Sequence, residues 1–225
     1  MKKVFRHQYW HFMFLITAYF MIKQIHRIDD QLFDGSLLGV STRTWFLVSI
    51  AIPIVHQIYV LICWRFEFYF KSLTKLFGKR AFVNYKIGFF VLFIGRFVLL
   101  VIVALSNKES IDINSTLKFS LIGFFTILAV YAFYSVKRYF GFDRAAGLDH
   151  FDEEVSKLPF IKEGIFKYTN NGMYKYAFLI FYIPGLIFES KAAILVAIFS
   201  HIYIWVHYYC TELPDMKIIY EKNKN

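Results

Sequence analysis

Along this chain, long apolar runs alternate with polar connections. The runs occupy residues 9–22, 45–63, 85–105, 117–136, 174–188 and 192–209. A helix that crosses the hydrocarbon of a bilayer needs about 20 apolar residues. The second, third and fourth runs meet that length, and the first is read as one more crossing. The fifth is short, rising only about 22 Å at 1.5 Å per residue, and it contains Pro184 and Gly185. A broken or tilted helix is therefore predicted there, turning back at residues 189–191 to form a hairpin with the sixth run. The expected fold class is all-α: a polytopic transmembrane helical bundle of four spans plus a C-terminal helical hairpin. Residues 1–136 would form the N-terminal helices. Residues 137–225 would form a core of loop, hairpin and tail.

Composition agrees with a chain written for lipid. Of 225 residues, 58% are hydrophobic and 21% aromatic, well beyond the usual soluble domain. No run is followed by a small-residue cleavage site of the signal-peptide kind. Lys and Arg cluster at the N-terminus, in 64–86, in 137–175 and in the C-terminal tail. The opposite side receives Lys23, Arg27, Arg43, Lys108, Lys118 and Lys191, and Arg96 stays inside a span. This bias predicts both termini in the cytoplasm. The formal net charge of +10 is then explained by basic flanks against anionic headgroups. Nucleic-acid binding is not called for, since no such motif occurs. Cys63 and Cys210 each close an apolar run; they form neither a CxxC pair nor a zinc spacing and read as small buried residues.

The polar stretch 137–175 is longer than a membrane connection requires and too rich in aromatics and spaced glycines for disorder, so it is expected to fold against the bundle. Within it, Gly141, Arg144, Gly147, Asp149, His150 and Phe151 compose a GxxRxxGxDHF string. The glycines would let another group approach the backbone, close to a guanidinium, a carboxylate and an imidazole. A second box, GIFKYTNNGMY at 164–174, offers Tyr168, Asn171 and Tyr174 just before the hairpin. At the hairpin exit, IWVHYYCTELPDMKIIY (204–220) places His207, Tyr208, Glu212 and Asp215 where an apolar helix ends. Carboxylates there are costly unless something pairs with them.

These three boxes, in this order around a hairpin, resemble the integral membrane S-adenosylmethionine-dependent methyltransferases, in particular the phosphatidylethanolamine N-methyltransferase branch. The isoprenylcysteine carboxyl methyltransferases look like more distant relatives. The resemblance covers roughly 137–220, and the first half matches nothing nameable. Gly172 stands where the family usually has proline. Thr211 precedes Glu212 where the family often has two adjacent acids, so only Glu212 is carried over and Asp215 is an unmatched substitute.

The resemblance implies a cofactor, S-adenosyl-L-methionine, at the cytoplasmic end of the bundle, and a membrane phospholipid acceptor that enters from the bilayer. Gly141, Arg144, Gly147, His150, Tyr168, Asn171, Tyr174, Tyr208 and Glu212 are the expected cofactor-binding residues. Glu212 would accept from ribose hydroxyls or the ammonium, Arg144 or His150 would meet the carboxylate, and the tyrosines would face adenine or sulfonium. The base that deprotonates a lipid ammonium is left open among His207, Asp149 and Glu212. Arg96, mid-span, is expected to face protein, water or a headgroup phosphate, because lipid exposure costs at least about 2.5 to 3.5 kcal/mol. Three competing readings remain. One is transfer to another lipophilic acceptor, one a scaffold of the same fold without turnover, and one a haem or quinone carrier with His56 and His201 as facing ligands.

Overall fold

The computed structural model describes residues 3–159 and 161–222; the outermost ends of the two expected domains, 1–2 and 223–225, lie outside the described residues. In chain order come α1 (Tyr9–Ile28), a two-residue ribbon β1 (Ser36–Leu37) and β2 (Val40–Ser41), and α2 (Thr42–Phe70). Then follow α3 (Ser72–Phe77), α4 (Ala81–Ser106), α5 (Ser115–Ser135), α6 (Phe142–Ala145) and α7 (Glu153–Ser156). The last four are α8 (Gly172–Tyr176), α9 (Tyr182–Ile187), α10 (Lys191–His207) and α11 (Leu213–Lys222). The fold is an all-α polytopic helical bundle, as the apolar runs require. Among the described residues, four stretches are long and apolar enough to cross a membrane: Thr42–Phe70, Ser72–Ser106, Ser115–Phe140 and Lys191–Tyr220.

The count of spans matches the sequence reading, but the membership differs. The first run is not among the four. Lys23, Gln24, His26 and Arg27 occupy the last turns of α1, and none of its residues is buried. The sixth run takes its place, because α10 continues through a π-helical turn (Tyr208–Glu212) into α11. The fifth run breaks as expected: a helix at 172–176, a 3₁₀ segment at 177–181 and α9 at 182–187.

α10 is the centre of the bundle, packed against α1, α2, α4 and α9. Its small residues Ala192, Ala193 and Ala197 are fully buried beside Leu100, Val103 and Ala104 of α4 and Phe46 of α2. Small side chains admit close helix approach in a membrane, where the hydrophobic effect offers no drive between helices. Gly88 and Gly95 of α4 act likewise: a Cβ at either would meet Tyr59 at 2.4 Å or Ile52 at 3.3 Å.

Polar groups are concentrated at the two ends. At one end the buried Asn107 accepts from Ser110, Ser190 and the Ala192 N–H, and donates to the Asp34 carbonyl. Lys118 pairs with Glu189 at 2.6 Å and Lys191 with Asp29 at 2.5 Å. Residues 29–43, 107–118 and 189–192 therefore share one end, as the hairpin reading required. The other end gathers the two termini: Arg65 of α2 donates to the Val4 carbonyl at 2.7 Å and pairs with Asp215 of α11 at 3.1 Å. With 29 residues, α2 extends about 44 Å, longer than a hydrocarbon core of about 30 Å. Its final turns, which carry Trp64, Arg65 and Glu67, thus protrude to build this second end.

Candidate functional site

The loop that follows α5 and the exit of the last hairpin meet. α5 ends in a π-helical turn, Val136–Phe140, stopped by Gly141 at φ +87°. Gly147, at φ +92°, ends the next short turn and sets Asp149 and His150 on a 3₁₀ segment facing the bundle. Trp64 and Tyr85 anchor this loop: the Trp64 Nε1–H donates to the Tyr85 hydroxyl at 2.8 Å, and that hydroxyl donates to the Ala146 carbonyl at 2.8 Å. His150 stacks on Trp64 with ring centroids 4.2 Å apart. The second box is tied to α5 where the Ser135 hydroxyl accepts from the Ile165 N–H at 3.0 Å.

Contacts between loop and hairpin exit are specific. Arg144 donates to the Tyr220 hydroxyl at 2.7 Å and to the carbonyls of Leu158 and Pro159 at 3.2 Å each, with Asp149 at 3.4 Å. The Tyr220 hydroxyl donates to Asp149 at 3.2 Å. Burial pushes the Asp149 carboxyl above its ordinary value, against the opposing pull of Arg144 and His150. Tyr174 donates a short hydrogen bond to Glu212, and the Tyr208 ring lies edge-on to Tyr174 at 5.9 Å. Two π-helical turns, at 136–140 and 208–212, flank this junction. Such turns re-aim side chains and often occur at functional sites.

Beneath the junction lies a cavity of about 120 Å³, walled by aromatic residues of α4 and the broken helix, with Ala145 and Ala146 from the loop, Met173 and Tyr174 from the second box, and His207 from α10. Three polar side chains at its wall have buried nitrogens without a hydrogen-bond partner: Nε and Nη2 of Arg96, both ring nitrogens of His56 and Nδ1 of His207. Buried polar groups are ordinarily satisfied, so this wall has the chemistry of a binding surface.

The structure thus brings together Arg144, Gly147, Asp149, His150, Tyr174, His207, Tyr208 and Glu212 at one end, with Arg96 on the cavity wall. Other expectations are altered. The group that approaches Gly147 is the protein's own Trp64, since a Cβ there would lie 2.3 Å from the indole. Around Gly141 nothing lies within 4 Å of such a Cβ. Tyr168 is 74% exposed, and Asn171 precedes α8, its N–H donating to the Thr169 hydroxyl at 3.3 Å. Gly172 has a local cause, because Ile165 would meet its Cβ at 2.6 Å. Asp215 does not replace the missing acid: it is 1% exposed and held by Arg65. The haem reading loses its geometry, since His201 uses Nδ1 toward Tyr182 at 3.2 Å and Nε2 toward the Tyr174 carbonyl at 2.7 Å. Among the described residues no cluster of three or more His, Cys, Asp or Glu forms a metal site.

Sequence reasoning missed Arg65. It donates to the carbonyls of Val4, Arg6 and Cys210 as well as to Asp215. A signal was available, because an arginine in CWRFEF at the end of an apolar helix needs an acid, and Asp215 stood unmatched at the end of another apolar helix.

The fold and this junction define an integral membrane helical protein whose polar end closes over an apolar cavity. Compared with known families, residues 115–223 match the phospholipid methyltransferase family. The resemblance read from the three boxes is thereby borne out, and extends upstream to include α5; residues 1–114 lie outside the match. No curated protein and no solved structure matches the chain.

Proposed function

We propose that the chain transfers a methyl group from S-adenosyl-L-methionine to a membrane phospholipid, the amine of phosphatidylethanolamine or a methylated derivative, with the polar end facing the cytoplasm. The observation that carries this reading is the apolar cavity that reaches Tyr174, the hydrogen-bond partner of Glu212, under a loop of the matched family region. The basic flanks at this end support its cytoplasmic orientation.

The residues suit the cofactor in part. Glu212 keeps a carboxylate at a half-buried position where ribose hydroxyls or an ammonium could add to the Tyr174 hydrogen bond, and Tyr174 and Tyr208 offer ring faces and edges. Gly141, with open space around it, suits a close backbone approach. Arg144 is committed to Tyr220, Leu158 and Pro159; His150 makes no hydrogen bond at Nε2, which lies 3.7 Å from the Asp215 carboxylate, and would have to turn from that neighbour to meet a cofactor carboxylate. Bound there, S-adenosyl-L-methionine would supply an electrophilic methyl on a sulfonium.

Among the three candidate bases, the geometry favours His207. It lines the cavity and its Nδ1 is free to take the proton that a lipid ammonium must lose. Glu212 is engaged by Tyr174, and Asp149 by Tyr220. Aromatic walls keep the reacting pair dry and oriented, which favours a step in which charge disperses.

Incubating purified protein with methyl-labelled cofactor and total lipid extract tests the reading. Label in a phospholipid headgroup is expected; label in a prenylated thiol ester would move the activity to the isoprenylcysteine type. Saturable cofactor binding with no labelled product would favour the scaffold.

A further inference from the structure

We propose that Arg96, with His56, forms a phosphate-oxygen subsite inside the bundle for the headgroup of the amphiphile that fills the cavity. This deepens the proposed function by assigning the acceptor's non-reacting part, and it rests on that reading only for the occupant's role as acceptor.

The same fold treats two buried arginines, Arg65 and Arg96, differently. Arg65, 1% exposed, meets a carboxylate and three carbonyls. Arg96, 3% exposed, pairs with no carboxylate among the described residues, and its Nε and Nη2 are buried without a hydrogen-bond partner. Phe178 and Phe181 present ring faces 5.3 Å from its guanidinium. Ring faces return only part of what desolvation removes, and a guanidinium stays charged at any physiological pH. The missing partner is an anion.

Its neighbours fit the same partner. His56 is 2% exposed, rests against Phe89 at 4.7 Å, and leaves both nitrogens unused. His207, whose Nδ1 the proposed reaction uses for the amine proton, lines the same cavity. A planar fork plus an imidazole supplies several donors to a tetrahedral oxyanion. Apolar walls select an anion that carries apolar chains over a hydrated free ion. Arg96 lies deeper in the bundle than Tyr85, which holds the loop, so the phosphate would sit on the membrane side of the reacting group, the order in which a phospholipid presents the two, with both groups inside the cavity that Arg96 and His207 line. His56 and Arg96 both lie outside residues 115–223.

The test uses the full chain in detergent micelles, titrated with dioctanoyl phosphatidic acid, dioctanoylglycerol and inorganic phosphate, for the wild type and Arg96→Met. The wild type should bind phosphatidic acid saturably and the diacylglycerol far more weakly, and Arg96→Met should lose about tenfold or more of that affinity, as for a charge-assisted contact. Because the substitution removes an unpaired buried charge, ligand-free Arg96→Met should melt at or above the wild-type temperature. A variant that melts lower or fails to fold would show a structural arginine and overturn the proposal. So would unchanged phosphatidic acid affinity in Arg96→Met, or inorganic phosphate binding as tightly as the lipid. His56→Phe, which retains Arg96, should weaken phosphatidic acid binding, and unchanged affinity there would remove His56 from the subsite. A parallel titration with S-adenosylmethionine separates the two claims. Phosphatidic acid binding without cofactor binding sinks the methyltransferase reading and leaves the subsite, whereas cofactor binding without an Arg96-dependent lipid sinks the subsite alone.

Discussion

Replacing Asp215 by alanine isolates what holds the two chain ends against α2. Both Arg65 and Asp215 are 1% exposed, and Arg65 Nε lies 3.1 Å from each carboxylate oxygen. In Asp215→Ala the guanidinium keeps its carbonyl partners, at 2.7 to 3.0 Å, but loses its neutralising charge in a site without solvent. Breaking a buried pair by removing one partner costs about 3–5 kcal/mol. His150, whose Nε2 lies 3.7 Å from Asp215, also loses a neighbour, which favours the upper half of that range. In Arg65→Met/Asp215→Ala the orphaned charge is gone and the remaining loss is the three carbonyl hydrogen bonds, which Arg65→Met alone also loses. The double variant should therefore cost less than the two single changes added together, by about 1–3 kcal/mol, a coupling readable in a double-mutant cycle. Equilibrium unfolding in mixed micelles, followed by tryptophan fluorescence since Trp64 adjoins the site, gives the four stabilities. If Asp215→Ala falls within about 0.5 kcal/mol of the wild type, the range of ordinary surface changes, the pair is not a structural clamp and Asp215 becomes available for a ligand again.

Other substitutions probe separate steps. Glu212→Gln should weaken S-adenosylmethionine binding about tenfold, since a hydrogen bond to a charged group contributes about 1.5–3 kcal/mol; unchanged affinity by calorimetry would place the cofactor elsewhere. Gly147→Ala should cost at least about 2 kcal/mol, because it combines a positive φ with a contact 2.3 Å from Trp64, and a variant of wild-type thermal stability would contradict the packing described. His207→Phe should retain cofactor binding while losing about 10²-fold or more in methyl transfer, with a pH profile no longer rising as a base ionises. An unaltered profile would return the role to Asp149 or Glu212. Gly172→Pro, which installs the residue usual in the family, should be destabilising alone and tolerated with Ile165→Ala, because the obstacle is Ile165 at 2.6 Å; equal stability of the two variants would refute that cause.

What was legible in the sequence followed from solvent and period. Runs of apolar residues near 20 long gave α2, α4 and α5, and Pro184 with Gly185 gave the break before α10. Where the reading slipped, the cause was context. The first run looks apolar to residue 22, but its helix continues to Ile28 through Lys23 and Arg27, so the mean over the whole helix is what counts. The glycines of the GxxRxxGxDHF string signalled a close approach, yet nothing in a sequence says whether the visitor is a ligand or Trp64. Arg144 read as a ligand contact because its partners, the Tyr220 hydroxyl and two carbonyls, are invisible to side-chain patterning. By contrast, the Tyr174–Glu212 contact follows from two boxes expected to converge, and it formed.

The division of the chain into a matched and an unmatched part has a physical meaning. Residues 115–223 supply Glu212, Tyr174, His207 and the covering loop, the chemistry of one polar end. That end cannot stand alone, because its loop is seated on Trp64 and Tyr85, and its terminal helix is neutralised by Arg65, all from the unmatched helices. Those same helices contribute His56, Phe89, Phe90, Phe93 and Arg96 to the cavity. Under the proposed function, a change at the cavity positions of these helices, such as His56 or Phe93, would therefore alter which acceptor fits while leaving the cofactor end intact, whereas a change in the last hairpin would touch both. Swapping Phe93 for alanine enlarges the cavity without touching a polar group. It should shift preference toward acceptors with bulkier chains in a competition assay and leave the affinity for S-adenosylmethionine unchanged. Loss of cofactor affinity in that variant would mean that the two halves do not divide the work this way.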